Sequence, residues 1–238
     1  MVKLQRQLQL IFGTNFFNFV GVVFLKERAE ADGTVYQNRN KAQCISVTTL
    51  VIEAIHQKFP HIQCEVVEMV TKGDRVLDLP LNQIGGKAVF VTEIERALSA
   101  HKIDIAVHSG KDMPAELAEG LCVQGVLPRA NPADVLVTRR GEPLSEKACA
   151  VIGTGSPRRK VQIMEMYPNC QCKNLRGNVP TRLEKLAEGA YDGIILAAAG
   201  LERLGLYGDE RFQFMELSCK DFIPAACQGI IAVEGRRG

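Results

Sequence analysis

Lys111 and Asp112 stand side by side in HSGKDMP, directly after the largely apolar run from Ile103 to Val107, and Pro114 forbids a regular helix from starting at once. A carboxylate fixed at a strand end can steady a cation formed during a reaction, or hold and relay a proton. The plainer alternative is a loop-capping Asp paired with its lysine. Further along, GTGSPRR sets free backbone amides, a Ser156-Pro157 helix start, and Arg158 and Arg159 next to one another. That combination suits an anion. NLRGNVPTR repeats the idea with Arg176 and Arg182, and GLERLG adds Arg203. Any one arginine is usually a solvated surface group, but all five follow expected strands of one domain, which points to a pocket for several carboxylates or phosphates. GTGS lacks the Gly-Lys-Ser/Thr ending of a nucleotide phosphate loop. Lys87, in IGGK, lies on a glycine-rich loop.

The elements that must position these groups alternate. VTTLVIEAIHQKF has helical spacing and stops at Pro60, and IQCEVVEMV reads as a strand. AVFVTEIERALSAH is a helix with its stripe at Val91, Ile94, Ala97 and Leu98, and IDIAVHS is a strand apolar enough to be covered on both faces. A second set follows: strand CAVIGTG, helix SPRRKVQIMEMYP, strand CQCKNL, helix VPTRLEKLAEG, strand YDGIILAAAG. This pace indicates an α/β protein with largely parallel sheets. Residues 120–145 read as connecting strands and loops, and no internal repeat is evident.

Composition bounds the rest. The chain has 238 residues, 46% hydrophobic and 24% charged, with a net charge of +2. That is room for two cores and no general affinity for nucleic acid. Eight cysteines without CxxC pairs read as mostly buried, reduced thiols of a cytoplasmic protein, and Cys170-x-Cys172, with only four histidines in the chain, gives no expectation of a metal site. Residues 8–25 (LQLIFGTNFFNFVGVVFL) are interrupted by Asn15, Asn18 and glycine, so neither a membrane helix nor a signal peptide is expected, and residues 1–36 stay unassigned.

IGGKAVFVTEIERAL, DIAVHSGKDMP, IGTGSPRRKVQ, LRGNVPTRLEKLAEGAYDGIILAAAGLERLG and FIPAACQGIIAVE occur in the order and spacing of the porphobilinogen deaminase (hydroxymethylbilane synthase) family, which the chain resembles from about residue 45 to 238. The resemblance implies a transferase of tetrapyrrole and haem biosynthesis that joins four porphobilinogen molecules head to tail, with loss of ammonia, to give hydroxymethylbilane. It implies two α/β domains like those of type II periplasmic binding proteins, with mixed, largely parallel sheets. Residues 37–125 plus 222–238 would form the first, residues 126–221 the second. It also implies a third domain whose cysteine carries a dipyrromethane cofactor.

By the same resemblance Asp112 is the catalytic carboxylate. Lys87, Ser109, Lys111, Thr154, Ser156, Arg158, Arg159, Arg176, Arg182 and Arg203 hold acetate and propionate groups of substrate and cofactor. In QNRNKAQCISV, Arg39 falls at a family arginine position, although Lys41 stands where serine is expected. No cysteine matches the attachment context, Cys227 replacing a family glycine, and the third domain is expected to be absent. A monomer that takes a small molecule, without nucleic-acid or membrane partners, is expected. Two other readings stay open: a truncated binding module for porphobilinogen, and a plain small-anion binder that has no need of Asp112.

Overall fold

The computed structural model describes residues 18–27, 42–67, 88–144 and 148–237. They form two compact units: the chain leaves the first between Arg129 and Ala130 and returns to it between Gly229 and Ile230.

The first unit holds strands β1 (Asn18–Glu27), β2 (Ile62–Val67), β3 (Ile105–Ser109), β4 (Leu121–Val126) and β10 (Ile231–Arg236), in the order β2-β1-β3-β10-β4. Helix α1 (Ala42–Lys58) buries Val47, Val51 and Ile55, spaced four apart on one stripe, against Ile105 and Val107 of β3 and Ile231 and Val233 of β10. Pro60, which has no amide to donate, follows its end. Helix α2 (Ala88–Ser99) covers the opposite face with Ile94, Ala97 and Leu98 packed on Ile103, Ala106 and Leu121. The two-residue period of β3 therefore sends Val107 to one helix and Ala106 to the other, the double burial that its apolar sequence requires.

The second unit repeats the plan. Its strands β5 (Asp134–Arg139), β6 (Val151–Gly153), β7 (Gln171–Lys173), β8 (Gly193–Ala197) and β9 (Phe212–Leu217) run in the order β7-β6-β8-β5-β9. Helix α4 (Val179–Ala187) and the short α5 (Ala198–Arg203) pack on Val135, Val137, Ile194 and Leu196. Helix α3 (Pro157–Met166) covers the other face at Leu136, Ile152 and Ile195. In both units the order is 2-1-3-n-4, where n is the strand made just after the chain has crossed. This shared order is a topological repeat that the residues themselves do not display.

Five expectations change. Residues 120–145 are not mere connections, because β4 and β5 are ladder members of two sheets. β1 falls within the stretch left unassigned and pairs with β2 and β3, both antiparallel. The sheets are not largely parallel: among the described residues every ladder of the first unit is antiparallel, and the second sheet is mixed, with parallel pairing at β6–β7 and β6–β8. Finally, the crossings fall later than 125/126 and 221/222. Val126 pairs with Ala232 and Leu127 donates to the Ile231 carbonyl, holding both in the first unit, whereas Phe222, fully buried, packs in the second. The run after β8 also turns into α5 instead of continuing as strand.

Cys227 has φ of +60°, a left-handed conformation that costs a residue with a Cβ about 1–2 kcal/mol. Glycine there keeps the backbone and removes that cost, offset in part by the greater freedom of the unfolded chain. Cys227→Gly is expected to raise stability by about 0.5–1 kcal/mol, read as a higher urea midpoint at unchanged slope.

Candidate functional site

In the second unit, β7 and β8 both run parallel to β6, so all three carry their C-terminal tips to one edge of the sheet. Each tip delivers part of the expected site. After β6 the chain turns through Thr154, Gly155 and Ser156 into α3. Thr154 is buried; its amide donates to the Lys173 carbonyl (3.0 Å) and its Oγ1 accepts from the Ser156 amide (3.2 Å). Gly155 passes so close to the next tip that a Cβ would stand 3.1 Å from the Leu175 carbonyl oxygen. Ser156 then caps α3, its Oγ accepting from the Arg159 amide (3.4 Å), and Pro157 fills the first turn where no amide partner exists.

The second tip carries half-buried Arg176 and then Gly177 at φ +111°, a conformation glycine alone adopts freely. Asn178 caps α4 by accepting from the Thr181 amide at 2.9 Å, and Arg182 Nε donates to the Gly177 carbonyl at 2.7 Å. The third tip is continuous with α5, whose last residue, Arg203, is half-buried and donates from Nη2 to the Gly229 carbonyl at 2.7 Å. Burial pulls the Arg203 guanidinium below its ordinary pKa, with Glu202 opposing.

Two of the expected ligand-holding arginines have an internal partner. Asp134 opens β5 opposite Ala197, at this same edge, and is fully buried. Its Oδ1 accepts from Arg159 Nε (3.0 Å) and Nη2 (2.6 Å), and from Gln228 Nε2 (2.9 Å). Arg159 Nη1 goes to the Ile195 carbonyl at 2.9 Å. Arg159 is itself buried, and its guanidinium neutralises Asp134. Arg158 Nη1 forms an ion pair with Asp134 Oδ2 at 2.7 Å, and the same nitrogen donates to the Ile223 carbonyl at 2.5 Å. Arg158 keeps partial exposure. Burial pushes the Asp134 carboxyl up, but the Arg159 charge and the hydrogen bonds from Arg158, Arg159 and Gln228 outweigh it and hold the group below its ordinary value. Sequence reading missed Asp134 and Gln228; the available signal was an acid at the head of the otherwise apolar run DVLV.

The first unit presents a smaller site. β3 ends at Ser109, and a single 3₁₀ turn, Gly110–Asp112, places Lys111 and Asp112 half-buried beside buried Met113. The turn is tied to the returning chain: the Gly110 amide donates to the Ile230 carbonyl at 3.0 Å, and Ser109 pairs with Ile231. Directly behind it, His108 Nε2 and Glu234 Oε2 lie 2.6 Å apart with both side chains buried. Glu95 of α2 shares this region; burial raises its carboxyl, Glu234 adds to that, and the Ala118 amide and His108 oppose it.

Lys87 and Arg39 lie outside the described residues. Among the described residues no cluster of His, Cys, Asp or Glu suits a metal ion, and no helix is long and apolar enough to cross a membrane. The described cysteines are free thiols, but Cys149 and Cys219 are exposed, contrary to the expectation of mostly buried sulfur. Burial pushes the Cys64 and Cys170 thiols up to about 11, so neither supplies much thiolate near neutral pH.

Two compact units, each built on a sheet of 2-1-3-n-4 order, make this a two-domain α/β protein. Residues 39–238 match the family model described as "Porphobilinogen deaminase, dipyromethane cofactor binding domain". Relatives named porphobilinogen deaminase include those of Acetivibrio thermocellus (45% identical over 84% of this chain), Bacillus subtilis (44% over 84%) and Laribacter hongkongensis (48% over 75%). The chain belongs to the porphobilinogen deaminase family. The matches span 67, 63 and 57% of those relatives' own lengths.

The Asp134 pairing carries a pH signature. A carboxyl held below its ordinary 3.8 contributes stability that is complete above that value and is lost as the pH falls through the lower folded value. Urea unfolding between pH 5 and 2 is expected to show this loss, and Asp134→Asn is expected to lower stability at pH 7 while flattening the decline below pH 4.

Proposed function

We propose that this chain carries the catalytic and carboxylate-holding machinery of a hydroxymethylbilane synthase, which condenses four porphobilinogen molecules head to tail with release of ammonia. The observation that carries the proposal is the convergence of Ser156, Arg158, Arg176, Arg182 and Arg203 on the tips of three parallel strands. Each porphobilinogen brings an acetate and a propionate, so a growing chain multiplies carboxylates, and guanidinium groups with a helix N-terminus are the donors that match them.

Loss of ammonia from porphobilinogen leaves an electron-poor methylene pyrrole. Asp112, held on a short turn at the end of a buried strand, supplies the negative charge that steadies this cation. The same carboxylate accepts and returns protons as the pyrrole nitrogen and α-carbon change bonding. Lys111 and Ser109, on the same turn, bind a substrate carboxylate and orient the ring. Lys87 and Arg39 belong to the same proposal through the family motif.

The family's dipyrromethane cofactor fits the donor set of the second unit: Arg176, Arg182 and the capped start of α3 are suited to a group with several carboxylates. When bound, it supplies the terminal pyrrole carbon to which incoming units are joined. Arg158 would engage it from the side not occupied by Asp134, and Arg203 from the α5 tip.

Asp112→Asn keeps the size of the side chain and removes its charge. Hydroxymethylbilane formation is expected to fall by about 10²-fold or more, while porphobilinogen affinity, read by calorimetry, changes by less than about threefold. Unchanged turnover would remove Asp112 from the mechanism. The intact mass of the denatured protein after incubation with porphobilinogen tests the cofactor directly: an added mass of two or more pyrrole units identifies a covalent attachment on this chain.

A further inference from the structure

Asp134 has no place in the chemistry above, yet it is the most heavily engaged buried acid of the second unit. One of its oxygens takes three hydrogen bonds, two from Arg159 and one from Gln228, and the other faces Arg158. Burying a carboxylate is costly unless charge and hydrogen bonds compensate it, so this arrangement calls for a reason beyond packing. The partners supply one. Arg158 and Arg159 open α3, at the anion-binding edge. Gln228 also donates to the Pro132 (2.7 Å) and Ala133 (3.3 Å) carbonyls, clamping the segment that has just entered the unit to the segment about to leave it. One residue on, the Gly229 carbonyl accepts both the Ala130 amide (2.9 Å) and Arg203 Nη2.

We propose that Asp134 is the positioning residue of the anion site, aiming Arg158 from its buried carboxylate and, through Gln228, linking it to the Gly229 carbonyl that holds Arg203. The two arginines stand on different elements, α3 and α5, and their shared reference point is this pair of crossing segments. In the described structure the Arg203 guanidinium donates to a neutral carbonyl, and its burial lowers its pKa by more than neighbouring Glu202 raises it. An incoming carboxylate adds negative charge beside it. Arg158, by contrast, already faces half of a carboxylate and is steered rather than satisfied. This inference rests on the reading of the β6–β8 edge as the site for substrate carboxylates.

The test is porphobilinogen binding by calorimetry to the intact chain and to three variants: Gln228→Met, Arg203→Lys and the double substitution. Gln228→Met preserves side-chain size, leaves Asp134 paired with both arginines, and removes the Gln228 hydrogen bonds to Asp134 Oδ1 and to the Pro132 and Ala133 carbonyls. It is expected to weaken binding by about threefold to tenfold, the scale of one or two hydrogen bonds. Arg203→Lys, which loses the planar fork, is expected to weaken it at least as much. If one network positions both arginines, the double variant binds about as weakly as Arg203→Lys alone. If Gln228 matters only for general stability, the two factors multiply.

Multiplied factors, or a Gln228→Met affinity within about twofold of the parent, overturn the positioning role while leaving the site reading intact. A parent chain that does not bind porphobilinogen overturns both. Asp134→Asn serves as the second check. Where it folds, as judged by a cooperative urea transition, it is expected to weaken binding more than Gln228→Met does, and equal affinity to the parent would refute the proposal.

Discussion

Both sheets depend on a strand that arrives from the far side of a chain crossing. β10 is bonded to β3 on one edge and β4 on the other, and β5 stands in the same relation to β8 and β9. Without its inserted strand each sheet would break into two pieces with unpaired backbone on both sides of the gap. The first unit is therefore completed only after the second has been made. The inserted strands are buried on both faces for the same reason: they lie at the centre of the cores, with Val233, Glu234, Val135 and Leu136 all buried.

That constraint also explains where the buried charges fall. Asp134 is the first residue of one inserted strand, and Glu234 belongs to the other, beside His108. An acid in the middle of a core strand is costly unless a cation or donor is delivered to it. Here the donors come from neighbouring elements at fixed register: Arg159 from α3 and Gln228 from the departing segment meet Asp134, and β3 brings His108 to Glu234. Each interaction fastens the inserted strand to an element that carries candidate chemistry. His108 immediately precedes Ser109, and Arg159 immediately follows Arg158. Positioning and chain threading thus use the same few side chains.

Much of the candidate site was legible from sequence because it is built from local signals. Ser156-Pro157 and Asn178-x-Pro180 announce helix starts, and a helix start is an anion site whichever sheet it leans on. The alternation of strands and helices in the second unit followed from periodicity, with α5 missed because AAAG after IIL carries no period that separates strand from helix. The use of Arg159 was not legible. In sequence it is the twin of Arg158, and only the fold, which brings both to buried Asp134, 25 residues before Arg159, buries Arg159 and leaves Arg158 partly exposed.

The sequence alone determined helices α1 to α4, their apolar stripes, the capped turns and the family, since each of these is written in residues a few positions apart or in motifs kept in order. Tertiary structure alone decided the rest. β1 and β10 came to lie against β3, residues 120–145 became core strands of two sheets, and the arginines divided between internal and outward duty. These outcomes turn on pairings between residues up to about 130 positions apart, as between β10 and β3. Hydrogen-bond register and desolvation decide such pairings only once distant segments share one core.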